Sequence, residues 1–166
     1  MSKSSFKAFV EYKAWFAAKE LVDSERRYVD KLRLLDEIFR ERVVKEAAID
    51  KDKQHKIFAN IASLYQFHNT HFLPQLMEAS RDWHTTKRIA NVVRKQAPFL
   101  KMYSEYTNNY DRATKVFEEM KKKKKFADVV REIEKLPECE GLPLSHHLIC
   151  PVQRVMRYQL LLQVAI

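Results

Sequence analysis

Between Phe6 and Val44 apolar residues return at steps of three, four or a multiple: Val10, Ala14, Ala17, Leu21, Tyr28, Leu32, Leu35 and Phe39. At about 100° per residue these positions share a narrow stripe, so the spacing predicts one long amphipathic helix. No Gly or Pro interrupts the chain before Pro74. A second helix is predicted over Asp52 to Ala79, with Ile57, Ile61, Leu64, Tyr65, Phe67, His68, Phe72, Leu73 and Leu76 on a broad apolar arc. An arc that wide belongs to a helix wedged between two others. Pro74 is expected to kink it or to mark a junction between two helical pieces.

Trp83 and the polar run His84-Thr85-Thr86 then read as a turn before a short helix over Lys87 to Gln96. Pro98 is suited to the first turn of a further helix carrying Phe99, Leu100, Met102, Tyr103, Tyr106, Tyr110, Ala113, Val116 and Phe117. The lysine run Lys121 to Lys125 is expected to fray or bend that helix, and Phe126, Val129, Val130 and Ile133 mark another helical stretch. Pro137 to Pro143, which contains Gly141, is the clearest loop. Leu144 to Cys150 reads as a short helix or turn, and Pro151 opens a last helix that is still running at Ile166. The pattern as a whole predicts an all-α fold, one elongated bundle of long helices, in a single domain over 1–166.

Composition sharpens this. One glycine in 166 residues is too few for the hairpins of an all-β fold or the turns of a doubly wound sheet. The N-terminus lacks the apolar run of a signal peptide, and no segment approaches the roughly 18 apolar residues of a membrane span. A cytoplasmic location follows as the expectation, with recruitment to membrane or cytoskeleton. Cys139 and Cys150 are expected as free thiols. Cys150 with His146 and His147 has the residue types for zinc, but three crowded candidates without a fourth favour packing and surface roles.

The net charge of +9 is concentrated: residues 81–125 hold 13 Lys/Arg against 5 Asp/Glu, an excess of 8. A solvated helix face or loop accounts for Lys121, Lys122, Lys123, Lys124 and Lys125, and contact with acidic membrane lipid is the functional alternative. Nucleic acid is not expected as a partner, because no recognised binding motif accompanies the charge.

Two places break the amphipathic pattern. Glu25 lies about 40° from Leu21 on the helical wheel, inside the apolar stripe. A carboxylate there needs an internal partner such as an arginine, a stripe edge open to water, or a bound protein. The last helix is apolar over most of its circumference (Val152, Val155, Met156, Leu160, Leu161, Leu162, Val164), yet Gln153, Arg154 and Arg157 share an arc of about 100°. These groups either meet acidic groups of a partner or pair with Glu25 and lock the bundle. No nucleophile elbow, zinc-protease motif, CxxC or phosphate-cradling glycine loop is present, and the six histidines are scattered.

The segment from Ala18 to Val29, Ala-Lys-Glu-Leu-Val-Asp-Ser-Glu-Arg-Arg-Tyr-Val, followed by Leu32 and Leu35, resembles the first signature region of Dbl-homology domains. Ile57 to Ile61, Leu64 to His68 and Phe72-Leu73 resemble the second. Leu142 to Ser145 and Leu148 to Leu162, which contains Pro-Val-Gln-Arg-Val-Met-Arg-Tyr, resemble the third and most specific. The stretch from Ala97 to Tyr106 is most similar to the faciogenital-dysplasia branch. The resemblance implies a guanine nucleotide exchange factor for Rho-family small GTPases that works without covalent chemistry and without a cofactor. It implies that Glu25 reaches the first switch of the GTPase, that Gln153 and Arg157 share that surface, and that Arg154 belongs to the motif in a contact or structural role. Two departures stand out: Gln159 replaces the usual proline after Arg157-Tyr158, and family members continue the last helix beyond the position of Ile166 and usually add a pleckstrin-homology domain. The expectation from the second is weak exchange by this chain alone. The rival reading is a helical scaffold or acidic-membrane module without exchange activity, and the oligomeric state, including helix swapping between copies, stays open.

Overall fold

The computed structural model describes residues 2–81 and 85–164, and the side chains of all of these except 85, 86 and 161–164. Among the described residues the structure is helical and contains no strand, as the periodicity requires. Most of the expected turn at Trp83 to Thr86 lies outside the described residues.

The first predicted helix is present as a continuous rod. It comprises α1 (Lys3–Arg33), a π-helical segment (Leu34–Arg40) and α2 (Glu41–Glu46), and at 1.5 Å per residue it is about 65 Å long. Ser2 caps its start by accepting from the Ser5 amide at 3.1 Å. The stripe is buried only from Ala18 onward: Leu21, Tyr28, Leu32, Leu35 and Phe39 are core residues. Residues 2–13 are exposed on every side, and Val10 keeps 48% of its surface.

The second predicted helix is in fact three: α3 (Lys51–Phe58), α4 (Ile61–Phe67) and α5 (Leu73–Ala79). Asp50 caps α3 through the Lys53 amide at 2.8 Å. The first break falls at Ala59, whose φ of 46° is unusual for a residue with a side chain. No Gly or Pro signals it. A tertiary bond accompanies it, the Asn60 side-chain amide donating to the Met102 carbonyl at 2.8 Å. The second break is the junction Pro74 predicts: a π-helical turn (His68–Phe72) precedes α5, with Pro74 in its first turn. Proline has no amide to donate, and a locally widened turn leaves that absence without a penalty.

α6 (Thr85–Gln96) leads through a 3-10 segment (Ala97–Met102) that carries Pro98 in its first turn into α7 (Tyr103–Lys121). α7 stops within the lysine run, and α8 (Lys124–Glu134) starts before its end. All five lysines are exposed at this turn, because only Phe126, Val130 and Ile133 of α8 face the core. The Pro137–Cys139 3-10 turn and the positive φ values of Glu140 and Gly141 form the expected loop. α9 (Leu144–Leu148) and α10 (Cys150–Val164) complete the bundle. One core cluster gathers around Phe39, Phe58, Phe117 and Phe126, and a second around Leu21, Phe72, Leu76 and Tyr158. Between the two lies the polar site.

Candidate functional site

Glu25 is fully buried, and its carboxylate joins three segments far apart in sequence. One oxygen accepts from His68 Nδ1 at 2.6 Å. The other accepts from Arg154 Nη2 at 2.6 Å and from the Tyr158 hydroxyl. Arg154 is engaged through all three nitrogens: Nε also reaches the Tyr158 hydroxyl at 2.9 Å and Nη1 reaches Ser24 Oγ at 2.9 Å. On the far side of His68, Nε2 meets the Tyr103 hydroxyl at 2.6 Å, and that hydroxyl meets Tyr28 at 2.6 Å. The aromatic rings enclose the charges. His68 stacks on Tyr158 with an interplanar angle of 14°, and the Arg154 guanidinium lies 4.8 Å from the Tyr158 ring centroid.

Each position follows from local structure. Ser24, Glu25 and Tyr28 sit on neighbouring faces of the buried half of α1. The π-helical turn before Pro74 holds His68 and Phe72, both buried. Arg154 and Tyr158 are one helical turn apart on α10, which puts both heads on one face. Burial is the largest influence on Glu25 and opposes its ionisation. The hydrogen bond and charge of His68, the charge of Arg154 and the Tyr158 hydroxyl together outweigh it, holding the carboxyl below its ordinary value of 4.5. Burial likewise works against charge on Arg154, but Tyr158 and Glu25 overcome it and raise its pKa. Burial pushes the hydroxyls of Tyr28, Tyr103 and Tyr158 well above their usual range. The centre is thus an ion pair with neutral phenols around it.

Of the alternatives left open by the pattern, Glu25 therefore adopts the internal ion pair. It is not a surface contact in this structure, because 0% of it is exposed and both oxygens are engaged. Arg154, 7% exposed, shares that role. Gln153 and Arg157 are exposed, as a contact surface requires. Arg157 pairs through Nη2 with a carboxylate that periodicity did not single out, Glu20 of α1, which is itself exposed. The buried pair Glu25–Arg154 and the surface pair Glu20–Arg157 thus bridge the same two helices side by side. His68, Tyr158, Ser24 and Tyr103 were also not singled out. For His68 a signal existed, since it is a polar residue within an apolar arc, as Glu25 is. Lys121 to Lys125 lie elsewhere, with Lys123 and Lys125 at a cleft shared by Ala47, Asp50 and Phe126. Around α9, His147 Nε2 meets the Cys139 carbonyl at 3.0 Å and Cys150 Sγ is 3.8 Å from the His146 carbonyl. Among the described residues no group of three or more His, Cys, Asp or Glu converges as metal ligands do.

Residues 17–166 match the family model described as RhoGEF domain. The chain belongs to the RhoGEF-domain family. It is 39% identical over 166 residues to mouse FYVE, RhoGEF and PH domain-containing protein 1, covering 97% of this chain and 17% of that protein. It is 43% identical over 150 residues to mouse FYVE, RhoGEF and PH domain-containing protein 2, covering 87% of this chain and 23% of that one. The chain therefore spans less than a quarter of the length of these relatives. Among solved structures it resembles the DH domain of FARP2, with a TM-score of 0.73 and 27% identity, over 91% of this chain and 74% of that chain. The relatives are those of the faciogenital-dysplasia branch that residues 97–106 resemble. In this RhoGEF domain the three signature regions meet at one place, each contributing a member of the Glu25–His68–Arg154 network.

Proposed function

We propose that this RhoGEF domain promotes GDP release from a Rho-family small GTPase by binding its switch regions through the surface around Glu20, Arg157 and Gln153. Membership of the family supports the activity. The observation that carries the site is the exposed Glu20–Arg157 pair directly beside the buried Glu25–Arg154 pair. An exposed acid and base on two helices can exchange their mutual contact for hydrogen bonds to a partner's backbone and hydroxyls, and charge-assisted bonds are the stronger kind. The buried network keeps those helices in register, so that little ordering is required when the partner docks. Glu25 and Arg154 are in this reading positioning residues.

Exchange requires no bond to be made or broken in the protein. A domain that binds the nucleotide-free GTPase more tightly than the GDP-bound form lowers nucleotide affinity by the same factor, through linkage. The test is release of a fluorescent GDP analogue from a panel of Rho-family GTPases. Glu20→Ala and Arg157→Ala are expected to slow stimulated release about tenfold or more, as loss of a central interface contact does, with an unchanged melting temperature. No acceleration by the wild-type chain on any member, or full activity in both variants, would overturn the proposal.

A further inference from the structure

The N-terminal half of α1 carries a second apolar face that the bundle does not use. Phe9 and Phe16 project within about 20° of each other, with Tyr12 and Phe6 about 40–60° to either side. The core face of the same helix, through Leu21, Glu25 and Leu32, points to roughly the opposite side. All four aromatic residues are exposed: Phe6 58%, Phe9 47%, Tyr12 61% and Phe16 51%. Two of the lysines on this segment lie on or beside that face. Between Ser2 and Lys19 there are four lysines and one glutamate. Lys13 falls within the aromatic arc and Lys19 about 20° beyond its edge, whereas Lys3 and Lys7 share the other side of the helix with Glu11. Lys13 folds over the Phe9 ring with Nζ 4.7 Å from its centroid, so its stem covers apolar surface while its head stays outward.

We propose that this face of α1 is a docking surface for an anionic lipid bilayer, with the aromatic rings at the headgroup boundary and the lysines on lipid phosphates and carboxylates. Aromatic rings flanked by lysines on one side of a helix are the arrangement that lies in a membrane interface, and attraction to anionic lipid adds to the apolar burial. Charge decides against the other obvious occupant. A second copy of this chain would bring the same lysine-rich segment against itself in a molecule already at +9. The lysine turn at Lys121 to Lys125 has charge, but the aromatic rings beneath it, Phe117 and Phe126, are buried. The face adjoins the surface proposed for exchange, since Phe16 and Glu20 line one cleft, but the inference does not rest on the exchange reading.

The test is co-sedimentation of the intact chain with vesicles of phosphatidylcholine, with and without about 30 mol% phosphatidylserine. Binding is expected only to the anionic vesicles, to fall with added salt, and to weaken roughly tenfold or more in the double variant Phe9→Ser/Phe16→Ser. A variant with glutamine at positions 121–125 should bind as wild type. With Trp83→Phe leaving Trp15 as the single tryptophan, vesicle addition should shift its emission to the blue. Both aromatic positions are exposed, so a circular-dichroism melt should show the double variant folded. The proposal is overturned if the anionic vesicles are not bound, if the double variant binds them undiminished, or if binding follows the lysine turn instead. Sedimentation showing a dimer that the double variant abolishes would assign the face to a second copy.

Discussion

The two halves of α1 have similar periodicity and opposite fates. From Ala18 to Arg33 the helix buries its stripe and, in the middle of it, a fully ionised carboxylate. From Lys3 to Ala17 the same helix leaves phenylalanine in solvent. A charge inside and aromatic rings outside are each costly alone. The difference shows that burial depends on what faces a position. Glu25 has His68, Arg154 and Tyr158 opposite it, whereas Phe9 keeps 47% of its surface in solvent.

The comparison breaks most visibly if the buried charge is removed. Glu25→Ala or Arg154→Ala leaves the other ion uncompensated in the interior, which is expected to cost about 3–5 kcal/mol. For a domain of this size that lowers the melting temperature by roughly 6–20 °C. Thermal or urea denaturation of the single variants and the double variant measures it. The double variant should lose less than the sum of the singles, because the second substitution removes a charge already stranded. A cost below about 1 kcal/mol in either single variant would mean that the network does not hold the helices together.

A smaller effect follows from pH. The carboxyl of Glu25 is held below 4.5 in the folded chain, so its ionisation contributes stability that is fully present above that pH. The contribution is lost as pH falls through the lower folded value. The stability gap between wild type and Glu25→Ala should therefore narrow on acidification below 4.5, as read by urea denaturation from neutral pH to about pH 3. A gap that stays constant would show that the ionised carboxylate is not the anchor.

The sequence carried much of this architecture because helices announce themselves locally. The spacing of Leu21, Tyr28, Leu32 and Leu35 needs only the 3.6-residue repeat to be read, and Pro74, Pro98 and Gly141 mark their own junctions. The break at Ala59 was not legible, because the tertiary bond beside it joins the Asn60 side chain to the Met102 carbonyl, 42 residues away in the chain. The exposed start of α1 was not legible either: Val10 and Ala14 continue the stripe of Leu21, and a pattern gives a face without saying what covers it. At the site, Glu25 was marked as an anomaly and Arg154 as a candidate partner, which was as far as periodicity reached. Choosing between an internal pair and a partner contact requires knowing that α10 crosses α1 at that turn. The same crossing brings Arg157 to Glu20, a residue off the core stripe and therefore without a signal of its own.

The smallest expected effect is the most discriminating. Phe16→Ala removes a large aromatic side chain, and in the buried half of the molecule such a change, Phe39→Ala for example, costs about 3–5 kcal/mol. At position 16, with half the side chain already in water, less transfer energy is at stake, and the partners to be lost are chiefly Tyr12 and Trp15 on the same helix. Alanine is also the better helix former by a few tenths of a kcal/mol. The net change in buffer should lie within about 0.5 kcal/mol of zero, and hydrogen exchange of the amides in 2–17 should be no faster than in wild type. Vesicle binding should fall nonetheless. A substitution that leaves folding untouched and weakens membrane contact separates the two halves of α1 by purpose: the second holds the bundle, and the first is available to a surface outside it.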